Sequence, residues 1–126
     1  MKQTIKIQWL SKPEEHNYPA AKSYLNLIYD HKLTNTLVEN FKKSPVVHFK
    51  AKDIFRASQL SLLGVSNSHV KKNTQKIKKD KKLSPILLVR DGKNGKVIIA
   101  DGYHRLCAVY IFDEDALINC QIVTLI

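Results

Sequence analysis

The fold of this chain is decided by one stretch, Val97-Ile98-Ile99-Ala100-Asp101-Gly102-Tyr103-His104-Arg105-Leu106-Cys107-Ala108-Val109-Tyr110. A run of four apolar residues breaks there into acidic, glycine and basic residues, and the sequence then becomes apolar again. Four consecutive apolar residues are typical of a strand that is covered on both faces. We therefore predict a buried strand, a tight turn at Gly102 and a helix that begins at Tyr103.

The turn at Gly102 predicts an anion site at the start of this helix. Glycine lets the backbone turn sharply, and the first amides of the helix then have no partner within it. Such a helix start attracts anions, and His104 and Arg105 add two cationic or hydrogen-bonding groups beside those amides. The predicted ligand is a phosphate; the alternative is an ordinary Asp-Gly turn that leads into a solvated helix start.

Hydrophobic periodicity along the rest of the chain predicts an α/β (α+β) fold, a small mixed sheet with flanking helices. The predicted strands cover residues 4–10, 46–49, 86–90, 97–100 and 118–125. A hairpin turn joins strands 86–90 and 97–100, and a helix precedes strand 118–125. The predicted helices cover residues 20–29, 34–43, 69–79 and 103–112, and residues 50–60 form a turn or a short helix. We expect one domain over residues 1–126, with a strand and a helical extension in 1–45 and the core in 46–126.

Length, composition and charge narrow the class of protein. A chain of 126 residues with 44% apolar residues can bury a single core, so we do not expect disorder. The chain has no apolar run of roughly 20 residues and no signal-peptide core, which predicts a cytoplasmic protein without a membrane partner. Cys107 and Cys120 lack the spacing of paired metal ligands, so we predict reduced core thiols and no metal site.

The net charge of +10 is concentrated in and after the predicted helix 69–79. A nucleic-acid backbone is one partner that such a face would suit, and binding of DNA or RNA would then depend steeply on salt. The alternative is a solvated face, and no aromatic residues are interleaved to stack on bases. The residues predicted to contact nucleic acid are Lys71, Lys76, Lys78, Lys79, Lys81 and Lys82.

The central stretch resembles the Asp-Gly-x-(His/Arg)-Arg-x-x-Ala signature of the ParB/sulfiredoxin superfamily, over Asp101-Gly102-Tyr103-His104-Arg105-Leu106-Cys107-Ala108. Ser84-Pro85-Ile86-Leu87-Leu88-Val89 and a hairpin precede it, as in that group. The superfamily includes the nucleotide-binding amino-terminal domains of ParB partition proteins, sulfiredoxins and archaeal free-serine kinases. The resemblance covers residues 47–125 and implies a ParB/sulfiredoxin-like core.

The resemblance also implies a nucleotide site, with ATP or CTP and Mg²⁺ as the cofactor. In sulfiredoxins and serine kinases the start of the helix that corresponds to 69–79 faces the phosphates, and the segment before it passes the ligand. The residues implied to bind the nucleotide are Gly102, Tyr103, His104, Arg105, Arg56, Ser68, His69 and Lys72.

Whether the chain is an enzyme is left open by these residues. Tyr103 stands where sulfiredoxins have their catalytic cysteine, so repair of peroxiredoxins is not expected. The serine kinases resemble the chain more closely, but residues 56–64 lack the glutamate that they use as a base. If the chain is catalytic, we expect a phosphotransferase or a nucleotide hydrolase in which Asp101 and His104 take part.

Two alternatives to a nucleotide-binding domain are kept. The first is a nucleic-acid-binding, nuclease-related protein that uses the lysine-rich helix 70–82. The second is an interaction module whose amino-terminal helices bind a partner protein. A homodimer is compatible with all three interpretations.

Overall fold

A computed structural model describes residues 6–125, and these form a four-stranded mixed sheet with helices on both faces. The helices are α1 (Asn17–Leu25), α2 (His31–Lys43), α3 (Ala51–Ser58), α4 (Ser68–Lys78) and α5 (Tyr103–Phe112). The strands are β1 (Val47–Lys50), β2 (Ile86–Asp91), β3 (Lys96–Asp101) and β4 (Leu117–Thr124). The fold class predicted from the sequence is confirmed.

The strands lie in the order β1-β4-β2-β3. The hairpin pair β2 and β3 is antiparallel, β1 and β4 are antiparallel, and β2 runs parallel to β4. Because β2 is a central strand, both of its faces must be covered, and residues 86–89 are all buried. The carboxyl end of β3 delivers the chain to Gly102 and α5.

Each face of the sheet carries its own hydrophobic cluster, because successive side chains of a strand point in opposite directions. Leu88 and Ile99 pack on the side of α3, α4 and α5. Leu87 and Ile98 pack on the other side, against Leu25, Leu37 and Phe41 of α1 and α2. The helical extension therefore supplies the cover for one entire face of the sheet.

The start of the described chain differs from the strand that the sequence predicts there. The predicted strand 4–10 lies partly outside the described residues, and from residue 6 onward it is a single parallel bridge between Trp9 and Leu83. Pro85 follows Leu83 by two residues and has no N–H, so it cannot donate a hydrogen bond to extend this bridge.

The first helix also differs from its prediction. It begins at Asn17 and ends at Leu25 rather than covering 20–29. Pro19 lies within its first turn, where backbone N–H groups have no partner in the helix, so the missing N–H of proline costs no hydrogen bond. Tyr24 and Ile28 continue the helical spacing of apolar residues in 20–29, yet each is 44% exposed. The buried face consists instead of Tyr18, Ala21 and Leu25.

Within residues 6–125, none of the helices combines the length and the apolar character that crossing a membrane requires. Cys107 and Cys120 are free and buried. Burial raises the pKa of both thiols, that of Cys120 to about 12, so neither forms a reactive thiolate at neutral pH.

Candidate phosphate-binding cleft

The turn between β3 and α5 depends on a glycine. Gly102 has a φ of 109°, in the left-handed region, and precedes the first residue of α5. A Cβ added there would lie 2.6 Å from Ile86 Cβ and 2.9 Å from Arg105 Nη2. Both the backbone conformation and the close packing exclude a side chain, which leaves the α5 start without a side-chain cap.

The start of α4 lies beside the start of α5 but is already capped. Asn67 Oδ1 accepts hydrogen bonds from the backbone N–H groups of His69, at 3.0 Å, and Val70, at 3.2 Å. The two amides that an anion would use are therefore occupied by the protein itself. The start of α4 can therefore contribute only side chains to the site, whereas α5 contributes side chains and a helix start that has no side-chain cap.

A cleft of about 240 Å³ opens between these two helix starts and the segment that precedes α1. Six of the residues predicted for the nucleotide and catalytic sites lie on its wall. They are His69, Lys72, Asp101, Gly102, His104 and Arg105. The arrangement gathers the α5 start, two imidazoles and two permanent cations around one concave space.

Three other predicted residues do not line the cleft. The Tyr103 hydroxyl donates to the Ser61 carbonyl in the loop between α3 and α4, and burial raises the pKa of this phenol. Ser68 is the exposed first residue of α4. Arg56 is exposed on α3, whose buried face consists of Ala51, Ile54 and Ser58.

Arg105 is fixed at the wall of the cleft by two partners. Its Nη2 lies 2.9 Å from Asp101 Oδ2, and its Nη1 donates to Asn17 Oδ1 at 3.0 Å. The side chain is only 15% exposed, and its buried Nε has no hydrogen-bond partner among the described residues. The ion pair holds the guanidinium in place and also offsets its charge.

Asn17 connects this arginine to the body of the protein. Its Nδ2 donates to Ser84 Oγ at 2.8 Å and to the Glu14 carbonyl at 3.0 Å, while its Oδ1 accepts from Arg105. The Ser84 hydroxyl in turn accepts from the Glu14 backbone N–H at 3.0 Å. The segment before β2 and the start of α1 thus form the floor on which Arg105 is held.

Two histidines face each other in the cleft. The ring centroids of His69 and His104 are 4.9 Å apart, with the ring planes at 38°. Burial lowers the pKa of His104, and the neighbouring His69 lowers it further. A bound anion would oppose both effects, because a negative charge favours the protonated imidazole.

The charge of the cleft favours anions. Lys72, Lys76, Lys82 and Arg105 face the carboxylates of Glu14 and Asp101. Four permanent cations and two carboxylates give a net charge of +2 when the lining histidines are neutral. Protonation of His16, His69 and His104 would make it more positive.

Sequence reasoning missed the contributions from the loop before α1 and from the entry to β2. The cleft is also lined by Glu14, His16, Asn73, Leu83 and Ser84. The loop carries no periodic pattern, and contacts with distant residues bring it to this place, among them the pairing of Trp9 with Leu83 and the hydrogen bond from the Glu14 backbone N–H to the Ser84 hydroxyl. No local signal in the sequence marks these residues.

The structure divides the lysines predicted to contact nucleic acid into three groups. Lys76 and Lys82 line the cleft, and Lys79 and Lys81 line a smaller hollow that adjoins it. Lys71 and Lys78 are exposed and line neither of these two depressions. The predicted basic face is therefore not one uniform surface.

The predicted nucleotide fits this cleft only in part. Pockets that enclose whole small molecules measure roughly 300–1,000 Å³, so a cleft of about 240 Å³ has room for phosphate groups but not for a whole nucleotide. Mg²⁺ is usually held by one or two carboxylates together with phosphate oxygens, and Glu14 and Asp101 are the carboxylates on the wall. The donor set thus fits the phosphate end of the cofactor.

The chain was also compared with known proteins. Comparisons with protein-family models, with curated proteins and with solved structures find no match.

Proposed function

We propose that the protein binds the phosphate groups of a nucleotide, or of another phosphate-bearing ligand, in the cleft between α4 and α5. The observation that carries this proposal is the placement of the uncapped α5 start at Gly102 in one cleft with His69, His104 and Lys72. Unpaired amides and the positive end of a helix bind anions, and cationic side chains strengthen such bonds.

The resemblance to the ParB/sulfiredoxin superfamily supports a nucleotide, with ATP and CTP as the first candidates, and the size of the cleft suits its phosphate groups. In this arrangement the phosphates would lie against α5 and the nucleoside would contact the rim. Mg²⁺ would be held between the phosphates and Asp101 or Glu14, where it would offset the charge that these carboxylates bring close to the ligand.

Catalysis is a further hypothesis about the same cleft. Asp101 is paired with Arg105, so a role for it as a base would require that pair to separate when ligand binds. His104, with its lowered pKa, is neutral at physiological pH and able to accept a proton. Release of inorganic phosphate from ATP or CTP would show turnover.

Isothermal titration calorimetry with ATP and CTP, with and without Mg²⁺, tests the proposal. We expect Lys72→Met to weaken binding by about tenfold or more, which corresponds to about 1.4 kcal/mol. Lys71→Met is the matched control, because it removes the same charge from the neighbouring residue of α4, outside the cleft. The control is expected to leave affinity within about twofold of the wild type.

Two results would reject the proposal. One is the absence of binding by either nucleotide and by inorganic phosphate at millimolar concentration. The other is an equal loss of affinity in Lys72→Met and Lys71→Met, because binding would then follow total charge and not the cleft.

A further inference from the structure

We infer that the ligand carries several phosphate groups in a row, whose terminal phosphate occupies the cleft and whose next phosphates occupy the adjoining hollow on α4. This inference rests on the proposed phosphate site and extends it by naming the class of ligand. The hollow has a volume of about 170 Å³ and is lined by Lys72, Gln75, Lys76, Lys79 and Lys81.

Helix geometry explains why these side chains meet. Positions 72, 75, 76 and 79 follow the spacing i, i+3, i+4, i+7, which places them along one face of α4 and its C-cap. Seven residues of helix span about 10 Å, enough for more than one phosphate. Lys71 and Lys78 have the same i, i+7 spacing on a neighbouring face.

The turn after α4 connects the hollow to the cleft. Asp80 adopts a positive φ of 57°, and the Lys81 backbone N–H donates to the Lys76 carbonyl at 2.9 Å. This reversal places Lys81 at the hollow, while Lys82 lines the cleft. Lys72 and Lys76 line both depressions, so the cationic surface is continuous from one to the other.

The lining of the hollow favours an anionic ligand. Four of its five lining residues are lysines, and none is acidic or aromatic. Like charges at i, i+4, such as Lys72 and Lys76, destabilise a helix, so a bound polyanion would relieve repulsion that the free protein bears. Without an aromatic platform, bases would not be stacked here.

Two sources offer this chemistry, the oligophosphate of a small molecule and the phosphorylated end of a nucleic-acid strand. Calorimetry at fixed salt would compare inorganic phosphate, pyrophosphate and tripolyphosphate. It would also compare a short oligothymidylate with a 5′-phosphate and the same strand with a 5′-hydroxyl. The first variant, Lys79→Gln/Lys81→Gln, removes two positive charges from the lining of the hollow. The matched control is Lys71→Gln/Lys78→Gln.

For the wild type we expect affinity to rise about tenfold or more from phosphate to tripolyphosphate. Lys79→Gln/Lys81→Gln should lose most of this gain yet bind single phosphate within about twofold of the wild type, and the control should keep the gain. Tighter binding of the 5′-phosphorylated strand than of tripolyphosphate identifies a nucleic-acid end; the reverse order identifies a small oligophosphate. Either order supports the inference when the loss is specific to Lys79→Gln/Lys81→Gln.

Failure of the inference and failure of the proposed site look different. Equal affinity for phosphate and tripolyphosphate, or equal losses in the two double variants, overturns the inference while phosphate binding stands. If inorganic phosphate and both longer ligands fail to bind the wild type, the proposed site itself is wrong and the inference falls with it.

Discussion

Arg105 is held in place by one residue that is near it in the sequence and by one that is far from it. Asp101 precedes it by one helical turn, whereas Asn17 comes from the first helix and is buried. A guanidinium that is anchored at two nitrogens loses little freedom when a ligand arrives, which favours binding. The site therefore depends on an asparagine that touches no ligand in the proposed arrangement.

Replacing Asn17 with alanine should disturb both stability and binding. Arg105 Nη1 and the Ser84 hydroxyl would each lose a buried partner, at a cost of about 1–3 kcal/mol in the free energy of unfolding. The affinity for phosphate should fall as well, since Arg105 is no longer held at the wall. Urea unfolding and calorimetry measure the two effects.

Asn26→Ala is the control for this variant, because Asn26 is an exposed residue at the end of the same helix. It should leave the phosphate affinity unchanged. If Asn17→Ala destabilises the protein but binds phosphate as the wild type does, Asn17 holds the fold and has no part in positioning Arg105.

His104 makes stability and binding depend on pH in opposite directions. Its pKa is lowered in the folded protein from the ordinary value of 6.5, by burial first and by His69 second. As the pH falls below 6.5, the unfolded chain takes up a proton that the folded protein resists, so stability falls toward the folded pKa. Bound phosphate favours the imidazolium, so the contribution of His104 to phosphate affinity should rise over the same range.

Unfolding by urea between about pH 7 and pH 5, with and without phosphate, measures this dependence. In His104→Gln, the part of the pH dependence of the free energy of unfolding that comes from this imidazole should disappear. Acidification should also favour phosphate binding less in this variant than in the wild type. If His104→Gln leaves the pH dependence of both the free energy of unfolding and the phosphate affinity unchanged, His104 is not the group that couples them to pH.

At the scale of elements, the two helix starts beside the cleft are built differently. Gly102 provides no side chain to cap α5, whereas Asn67 caps α4 through two backbone amides. The cap fixes where α4 begins and thereby where His69 and Lys72 stand. In the proposed site the uncapped helix start would bind the ligand, and the capped one would position side chains.

Asn67→Ala should therefore cost about 1 kcal/mol of stability and also weaken phosphate binding. The matched control is Asp30→Ala, because Asp30 caps α2 through a hydrogen bond from the Leu33 backbone N–H, away from the cleft. A similar loss of stability with unchanged affinity is expected for the control. Thermal unfolding and calorimetry provide the comparison, and equal affinities in both variants would count against the positioning role of α4.

Elements with a strong local pattern could be predicted closely. The helix 103–112 is observed with those bounds, and the N-cap at Asn67 places α4 within one residue of its prediction. The first helix was misplaced because its pattern of Tyr24, Leu25, Ile28 and Tyr29 continued past Leu25, where the chain turns toward Asp30, the N-cap of α2. Tertiary packing decided that boundary, and periodicity alone could not reveal it.

At the scale of the whole molecule, residues 6–45 are an integral part of the described fold and contribute to the candidate cleft. Their two helices cover one face of the sheet, and the loop before α1 brings Glu14 and His16 to the cleft. We predicted this segment to be an extension of the core because the resemblance does not cover it, and its packing on the sheet joins residues far apart in the chain. The resemblance also implied that Arg56 binds the ligand, but Arg56 does not line the cleft.

The turn itself could be predicted because glycine, acid and base follow one another along the chain. The grouping of His69 and Lys72 with Gly102 also agrees with what the resemblance implied. The anchor at Asn17 and the division of the lysines could not be predicted, since they depend on how α1 and α4 pack. The ligand stays a prediction at every scale.

The most direct measurement is a titration of the ¹⁵N-labelled protein with inorganic phosphate, followed by the backbone amide resonances. We expect the largest, saturable shifts at Gly102, Tyr103 and His104 at the start of α5, with smaller shifts at His69 and Lys72. Shifts that are confined to Lys71 and Lys78, or that grow linearly without saturation across all lysines, would contradict the proposed phosphate site.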